Sequence, residues 1–166
     1  MTKEKRRSNQ GRQLWHCLPR KMLAEIQEGK TLDPVVKHIT QEKINLYAEA
    51  SGDFNPIHID ESFAAKTPFG GTIAHGMLSL AFVSEMMTSA FGRSWLSGGR
   101  LRAKFKDSAR PGDTLTVTGK IDCIEQKDDV SYADCAYECR NQKGEMIVVG
   151  DATVRLSGSK KQEYGS

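Results

Sequence analysis

The sequence predicts an α+β fold in which an antiparallel sheet wraps around one long apolar helix. Two observations carry that reading. From Gly76 to Phe91, the apolar side chains of Met77, Leu78, Leu80, Ala81, Phe82, Val83, Met86, Met87, Ala90 and Phe91 spread around most of a helical wheel. A helix apolar nearly all round must be covered on most sides. Downstream the pattern changes to a period of two, with Leu101, Ala103 and Phe105 alternating with Arg100, Arg102, Lys104 and Lys106. That is the signature of strands with one face toward a core.

The elements follow in order. Residues 1–17 read as a disordered basic extension, 18–156 as a single domain and 157–166 as a flexible tail. Arg20 to Glu28 predicts a short helix, with Met22, Leu23 and Ile26 on one face and Gly29 as its stop. The triplet Gly29-Lys30-Thr31 is not a phosphate loop, because such a loop needs glycine where Ala24 stands. Thr40 is placed to cap a helix from Gln41 to Ala50, with Ile44, Tyr47 and Ala48 facing inward and Ser51-Gly52 ending it. Asp60 caps a further short helix that Pro68 must end.

After the central helix, Pro111-Gly112 marks a turn. Leu115, Val117, Gly119 and Ile121 then alternate with Thr114, Thr116, Thr118 and Lys120. Asp128-Asp129 marks another turn. Strands from Ser131 to Arg140 and Glu145 to Leu156, joined across Asn141 to Gly144, complete an antiparallel set.

Composition narrows the function classes. At 166 residues the chain supports one domain with a real core. It has no long apolar run and no h-region after its charged N-terminus, which argues against a membrane span or secretory signal and predicts a cytoplasmic protein. The first 21 residues carry a net +6 against +3 for the whole chain, so the remainder is −3. Basic character is thus a property of the tail. With no aromatic interleaving it reads as a solvated extension rather than a nucleic-acid or membrane surface. The four cysteines, Cys17, Cys123, Cys135 and Cys139, include no C-x-x-C pair and read as ordinary residues rather than disulfides or metal ligands.

The chemistry-bearing stretch runs from Tyr47 to Asp60. It sets Asp53 and His58 five residues apart across Asn55-Pro56, a stiff turn-forming pair. A glycine-rich approach follows, Phe69-Gly70-Gly71-Thr72-Ile73-Ala74-His75-Gly76, leading into the apolar helix. A carboxylate and an imidazole beside a helix start can move protons next to a carbonyl whose oxygen the helix start holds. Asp53, Asn55, His58 and Asp60 do not form a calcium loop, which needs a central glycine and a terminal glutamate.

The segment from Tyr47 to Leu78 resembles the signature of the MaoC-like dehydratases, which include the R-specific enoyl-CoA hydratases and have the hotdog fold. Leu101 to Phe105 and Arg110-Pro111-Gly112-Asp113 through Val117 extend the likeness, which covers roughly residues 30 to 156. The resemblance implies reversible addition of water to a trans-2-enoyl thioester, giving the R-3-hydroxyacyl thioester. It implies Asp53 and His58 as catalytic residues, the Gly76 N–H as the oxyanion donor, and Ser84 at a position where some members hold a serine near the aspartate. Asn55 is expected to fix the turn and His75 to orient the loop, both beside substrate. No cofactor and no metal are implied. The implied partners are an acyl-CoA or acyl-carrier-protein thioester and at least one further copy of the chain. The exposed row Arg100, Arg102, Lys104 and Lys106 reads as a solvated sheet face or as a contact for the phosphates of the carrier. Two alternatives stay open: a hotdog thioesterase, or a non-catalytic acyl-binding subunit of a dehydratase complex.

Overall fold

A computed structural model describes residues 26–128 and 130–156. The expected extension, tail and most of the Arg20–Glu28 segment lie outside the described residues. The chain runs β1 (Val35–His38), α1 (Gln41–Ser51), α2 (Pro56–Ile59), α3 (Glu61–Ala64), α4 (Gly76–Phe91), α5 (Arg93–Gly98), β2 (Arg100–Phe105), β3 (Thr114–Lys127), β4 (Val130–Arg140) and β5 (Met146–Leu156). The five strands form one antiparallel sheet in the order β1-β3-β4-β5-β2. This is the hotdog arrangement, with α4 against the sheet. No helix among the described residues is long and apolar enough to cross a membrane.

Local chemistry explains most boundaries. Thr40 caps α1 by accepting from the Lys43 N–H at 3.2 Å, and Gly52 ends it in the left-handed region at φ 75°. Asp60 caps α3 by accepting from Phe63 N–H at 3.0 Å. Gly112 takes φ 93° in the turn before β3, closed by Asp113 N–H donating to the Arg110 carbonyl at 3.0 Å.

The inward row of β3 is Leu115, Val117 and Ile121, all buried. Gly119 stands in the same row because Met86 occupies its side-chain space: a Cβ there would lie 2.7 Å from Met86 Cε. These residues pack on Val83, Met86, Met87 and Phe91 of α4 and on Cys135, Cys139, Val148 and Val154. Burial of their side chains is the main favourable contribution to the fold.

Three expectations are corrected. The helix expected up to Glu28 is absent at its described end: Glu28 and Gly29 form a turn, and the chain runs along β3 instead. Gly29 N–H donates to Ile121 O and Leu32 N–H to Gly119 O, both at 2.8 Å, and Thr31 bridges Lys120. Pairing to a sheet edge satisfies more of this backbone than a short isolated helix would. Three elements were not expected from the sequence: β1, α5 and the short helix α2, where Asn55-Pro56 read only as a turn. The third correction concerns α4, which is not covered all round. Met77 is 60% exposed and Ala81 is exposed, because a single five-stranded sheet reaches only one side of the helix.

Candidate active site

Two loops build the site, and a set of hydrogen bonds locks them side by side. The first runs from Asp53 to Ile59, the second from Gly70 to Gly76. Asp53 Oδ1 accepts from Asn55 N–H at 3.2 Å, and Asn55 Oδ1 accepts from Ile57 N–H at 3.3 Å. These local bonds turn the chain and start α2 with Pro56 in its first turn. Ile73 N–H then donates to the Ile57 carbonyl at 3.1 Å. Gln41 at the start of α1 donates to the His58 carbonyl and accepts from Thr72 Oγ1, both at 2.7 Å. Glu61 accepts from Thr72 N–H at 2.9 Å. Gln41, Glu61 and Thr72 are supporting residues that sequence reasoning missed. Their partners are distant in the chain, so no local pattern marks them.

The two imidazoles are buried and stacked, with ring centroids 3.8 Å apart at 29°. His58 Nδ1 lies 2.8 Å from the Ile73 carbonyl oxygen, and a carbonyl only accepts, so Nδ1 carries the proton. In the neutral ring Nε2 is then the free acceptor. By the same logic His75 Nε2 donates to the Asp53 carbonyl at 3.0 Å, which ties the backbone of the carboxylate residue to the start of α4. His75 Nδ1 is buried without a partner among the described residues. Tyr47 packs on the other side of His75 at 4.9 Å between centroids.

A carboxylate oxygen of Asp53 and ring nitrogens of His58 and His75 lie within 4.8 Å of one another. Asp53 itself is exposed, whereas both histidines are buried. Each histidine has one nitrogen engaged by a backbone carbonyl, and the two other oxygen side chains of this loop serve as helix caps, Asn55 for α2 and Asp60 for α3.

Beside His58 opens a cavity of about 160 Å³ lined by Ile73, Ala74, Gly76, Ser79, Phe105 and Ala109 among others. Gly76 begins α4, where the first-turn N–H groups have no intrahelical partner and the helix dipole is positive. The ring of Phe105 covers Gly76 so closely that a Cβ there would lie 2.8 Å from Phe105 Cε1.

The structure therefore gathers Asp53, His58, His75 and Gly76. Of these, His58 and Gly76 line the cavity and Asp53 and His75 stand next to His58; Asn55 and Ser84 are not in the lining. Ser84 sits eight residues beyond Gly76, roughly 12 Å along the helix axis, and its hydroxyl accepts from Trp95 Nε1 at 2.9 Å. Within one chain it is a packing partner of α5. The basic row of β2 is solvent-exposed, and Arg102 pairs with Asp151 at 3.1 Å.

Comparison with known proteins bears on the family and the fold. Residues 24–140 match the family described as MaoC like domain. The (R)-specific enoyl-CoA hydratase of Rhodospirillum rubrum is 32% identical over 133 residues, covering 80% of this chain and 89% of that protein. The 3-hydroxyacyl-thioester dehydratase Z of Mycobacterium tuberculosis is 52% identical over 91 residues, 52% of this chain and 60% of that one. Among solved structures, the unliganded R-hydratase PhaJ1 of Pseudomonas aeruginosa superposes with a TM-score of 0.69 at 29% identity, covering 80% of this chain and 83% of that one. With its hotdog sheet, its two locked loops and a match running from residue 24 to 140, the chain belongs to the MaoC-like domain family.

Proposed function

We propose that the protein catalyses the R-specific, reversible hydration of trans-2-enoyl thioesters to R-3-hydroxyacyl thioesters. The observation that carries this reading is the approach of the Asp53 carboxylate to the His58 ring beside a cavity that ends at the N-terminus of α4. The names of the relatives, hydratases and dehydratases of acyl thioesters, support the same class of substrate.

The steps follow from the site. The thioester carbonyl rests against the Gly76 N–H. Water attacks C3, and one of its protons passes to the Asp53–His58 pair. The electrons of the double bond move to the thioester oxygen, giving an enolate that the helix start holds more strongly than the carbonyl. The pair then delivers a proton to C2, so the site returns to its starting state. His58 suits this work because its Nδ1–H is fixed by the Ile73 carbonyl, which leaves Nε2 oriented toward the reacting groups.

The working form in this reading is a homodimer. Asp53 is exposed in the single chain, and the two segments of the site carry exposed apolar side chains: Phe54 follows Asp53 at 55% exposure, Met77 follows Gly76 at 60%, and Phe105, at 52%, covers Gly76. β2 is an edge strand with one side unpaired among the described residues. A second copy would cover that edge and close the site.

The test is a panel of trans-2-enoyl-CoA thioesters of increasing chain length, with a carrier-protein thioester in parallel, followed by loss of enoyl absorbance and chiral analysis of the product. Hydration to the R product is expected. An S product, or release of free thiol without hydration, would overturn the reading, the second outcome marking a thioesterase.

A further inference from the structure

Ser79 carries a hydroxyl that the fold leaves unused. It lies in α4 one turn beyond Gly76, is 2% exposed, and lines the same cavity as His58 and Gly76. Serine and threonine in helices commonly turn the hydroxyl back onto the carbonyl four residues earlier. Ser51, Thr88 and Ser97 of this chain do so, donating to Tyr47, Ser84 and Arg93 carbonyls at 2.7 to 2.8 Å. Ser84 also accepts from Trp95. The Ser79 hydroxyl makes no hydrogen bond among the described residues. Buried hydroxyls nearly always find a partner, so an unpartnered one facing a cavity points to a ligand.

Helix geometry says where that hydroxyl acts. Side chains lean toward the N-terminus of their helix and cover the preceding turn. Ser79 is three residues from Gly76, about 4.5 Å along the axis and on nearly the same face. Its Oγ therefore lies over the turn that begins at Gly76, where no side chain of residue 76 intervenes. Of the other residues in the cavity wall, Ile73, Ala74, Phe105, Asp107, Ala109 and Ile147 offer no neutral side-chain hydroxyl, and Ser108, the one other hydroxyl, stands on the β2–β3 connection rather than on the turn that begins at Gly76.

We infer that the Ser79 hydroxyl is a second hydrogen-bond donor to the thioester oxygen, acting with the Gly76 N–H as that oxygen becomes an enolate. The inference rests on the hydratase reading of the site. Two donors aimed at one developing charge from fixed positions stabilise it without reorganisation. Ser79 transfers no proton in this role. Its O–H bond stays intact while the acid/base work remains with Asp53 and His58.

The experiment compares wild type, Ser79→Ala and Ser79→Thr on trans-2-butenoyl-CoA, with kcat and KM measured separately and thermal unfolding as a control. Alanine keeps the Cβ and favours a helix, so the variant should fold with an unchanged or higher Tm. Ser79→Ala should lower kcat by about 100-fold, the lower end for loss of one oxyanion donor, with KM changed less than about threefold, the pattern of an interaction that strengthens in the transition state. Ser79→Thr, which restores a hydroxyl, should recover most of kcat. An active wild type with unchanged kcat in Ser79→Ala overturns this role alone and leaves the hydratase reading standing. A loss confined to KM, or equal losses in Ala and Thr with a lowered Tm, also overturns it. A wild type inactive on every enoyl thioester removes the hydratase reading and the Ser79 role with it.

Discussion

Replacing His58 with asparagine separates its two ring nitrogens. Asparagine places its amide N–H near the position of the imidazole Nδ1–H. The 2.8 Å bond to the Ile73 carbonyl, which joins the two site loops, can therefore be kept. Nothing replaces Nε2. His58→Asn should lose turnover by roughly 100-fold to 10,000-fold, the range for a positioned acid or base, while unfolding near the wild-type temperature. His58→Ala should lose the same turnover and also stability. It strands a buried carbonyl, which costs about 1–3 kcal/mol, and removes a ring that is 7% exposed and stacked on His75. At about 2–4 °C per kcal/mol for a chain of this size, a Tm drop of at least several degrees is expected. The assays are enoyl-thioester hydration and thermal unfolding of the three proteins side by side. If His58→Asn turned over within about threefold of wild type, proton transfer through Nε2 would be refuted. If His58→Ala were as stable as His58→Asn, the loop-joining role of Nδ1 would be wrong.

Further expectations follow from the same structure. Asp53→Asn should fold normally, because the side chain is exposed and asparagine still accepts from Asn55 N–H. It should nevertheless lose roughly 100-fold or more in hydration rate, and near-normal turnover would remove the carboxylate from the mechanism. Gly150→Ala should destabilise strongly, since a Cβ at Gly150 would lie within 1.9 Å of the Arg102 carbonyl oxygen across the β2–β5 pair. Backbone cannot yield as a side chain can, so about 3 kcal/mol, the upper end for overpacking, should be lost in chemical denaturation. Cys135 and Cys139 are buried, and burial pushes their thiols up to about 12 and about 11. They should resist alkylation in the native protein at pH 8. Unfolded thiols ionise near pH 8.5, so the unfolded state binds fewer protons above that pH and stability should fall between there and pH 11. A flat denaturation midpoint across that range would contradict the burial argument.

Much of the fold was legible in the sequence because local chemistry imposes it. Thr40, Asp60, Gly52 and Gly112 act through bonds and dihedrals within a few residues, so the start of α1, the start of α3, the end of α1 and the turn before β3 stand where the pattern puts them. Alternation in β3 to β5 reports a single buried face and needs no knowledge of the partner strand. The motif from Asp53 to His58 was visible for the same reason, since its turn is closed by its own side chains.

Tertiary structure alone decided the rest. β1 is four residues long and exists because β3 offers it an edge. The segment before it looked helical by its apolar spacing, but its described end lies along β3, where long-range hydrogen bonds are available. The Gln41 clamp, the stacking of His58 on His75 and the Phe105 ring over Gly76 join residues from 17 to 31 positions apart, a separation no local pattern encodes. Ser84 and Ser79 show the limit most directly. Both are serines on the same apolar helix; the family resemblance marks Ser84, and nothing in the sequence marks Ser79. Packing turns Ser84 toward Trp95 and leaves Ser79 facing the cavity, because the rotation of α4 against the sheet is set by Val83, Met86 and Met87 seating in the core.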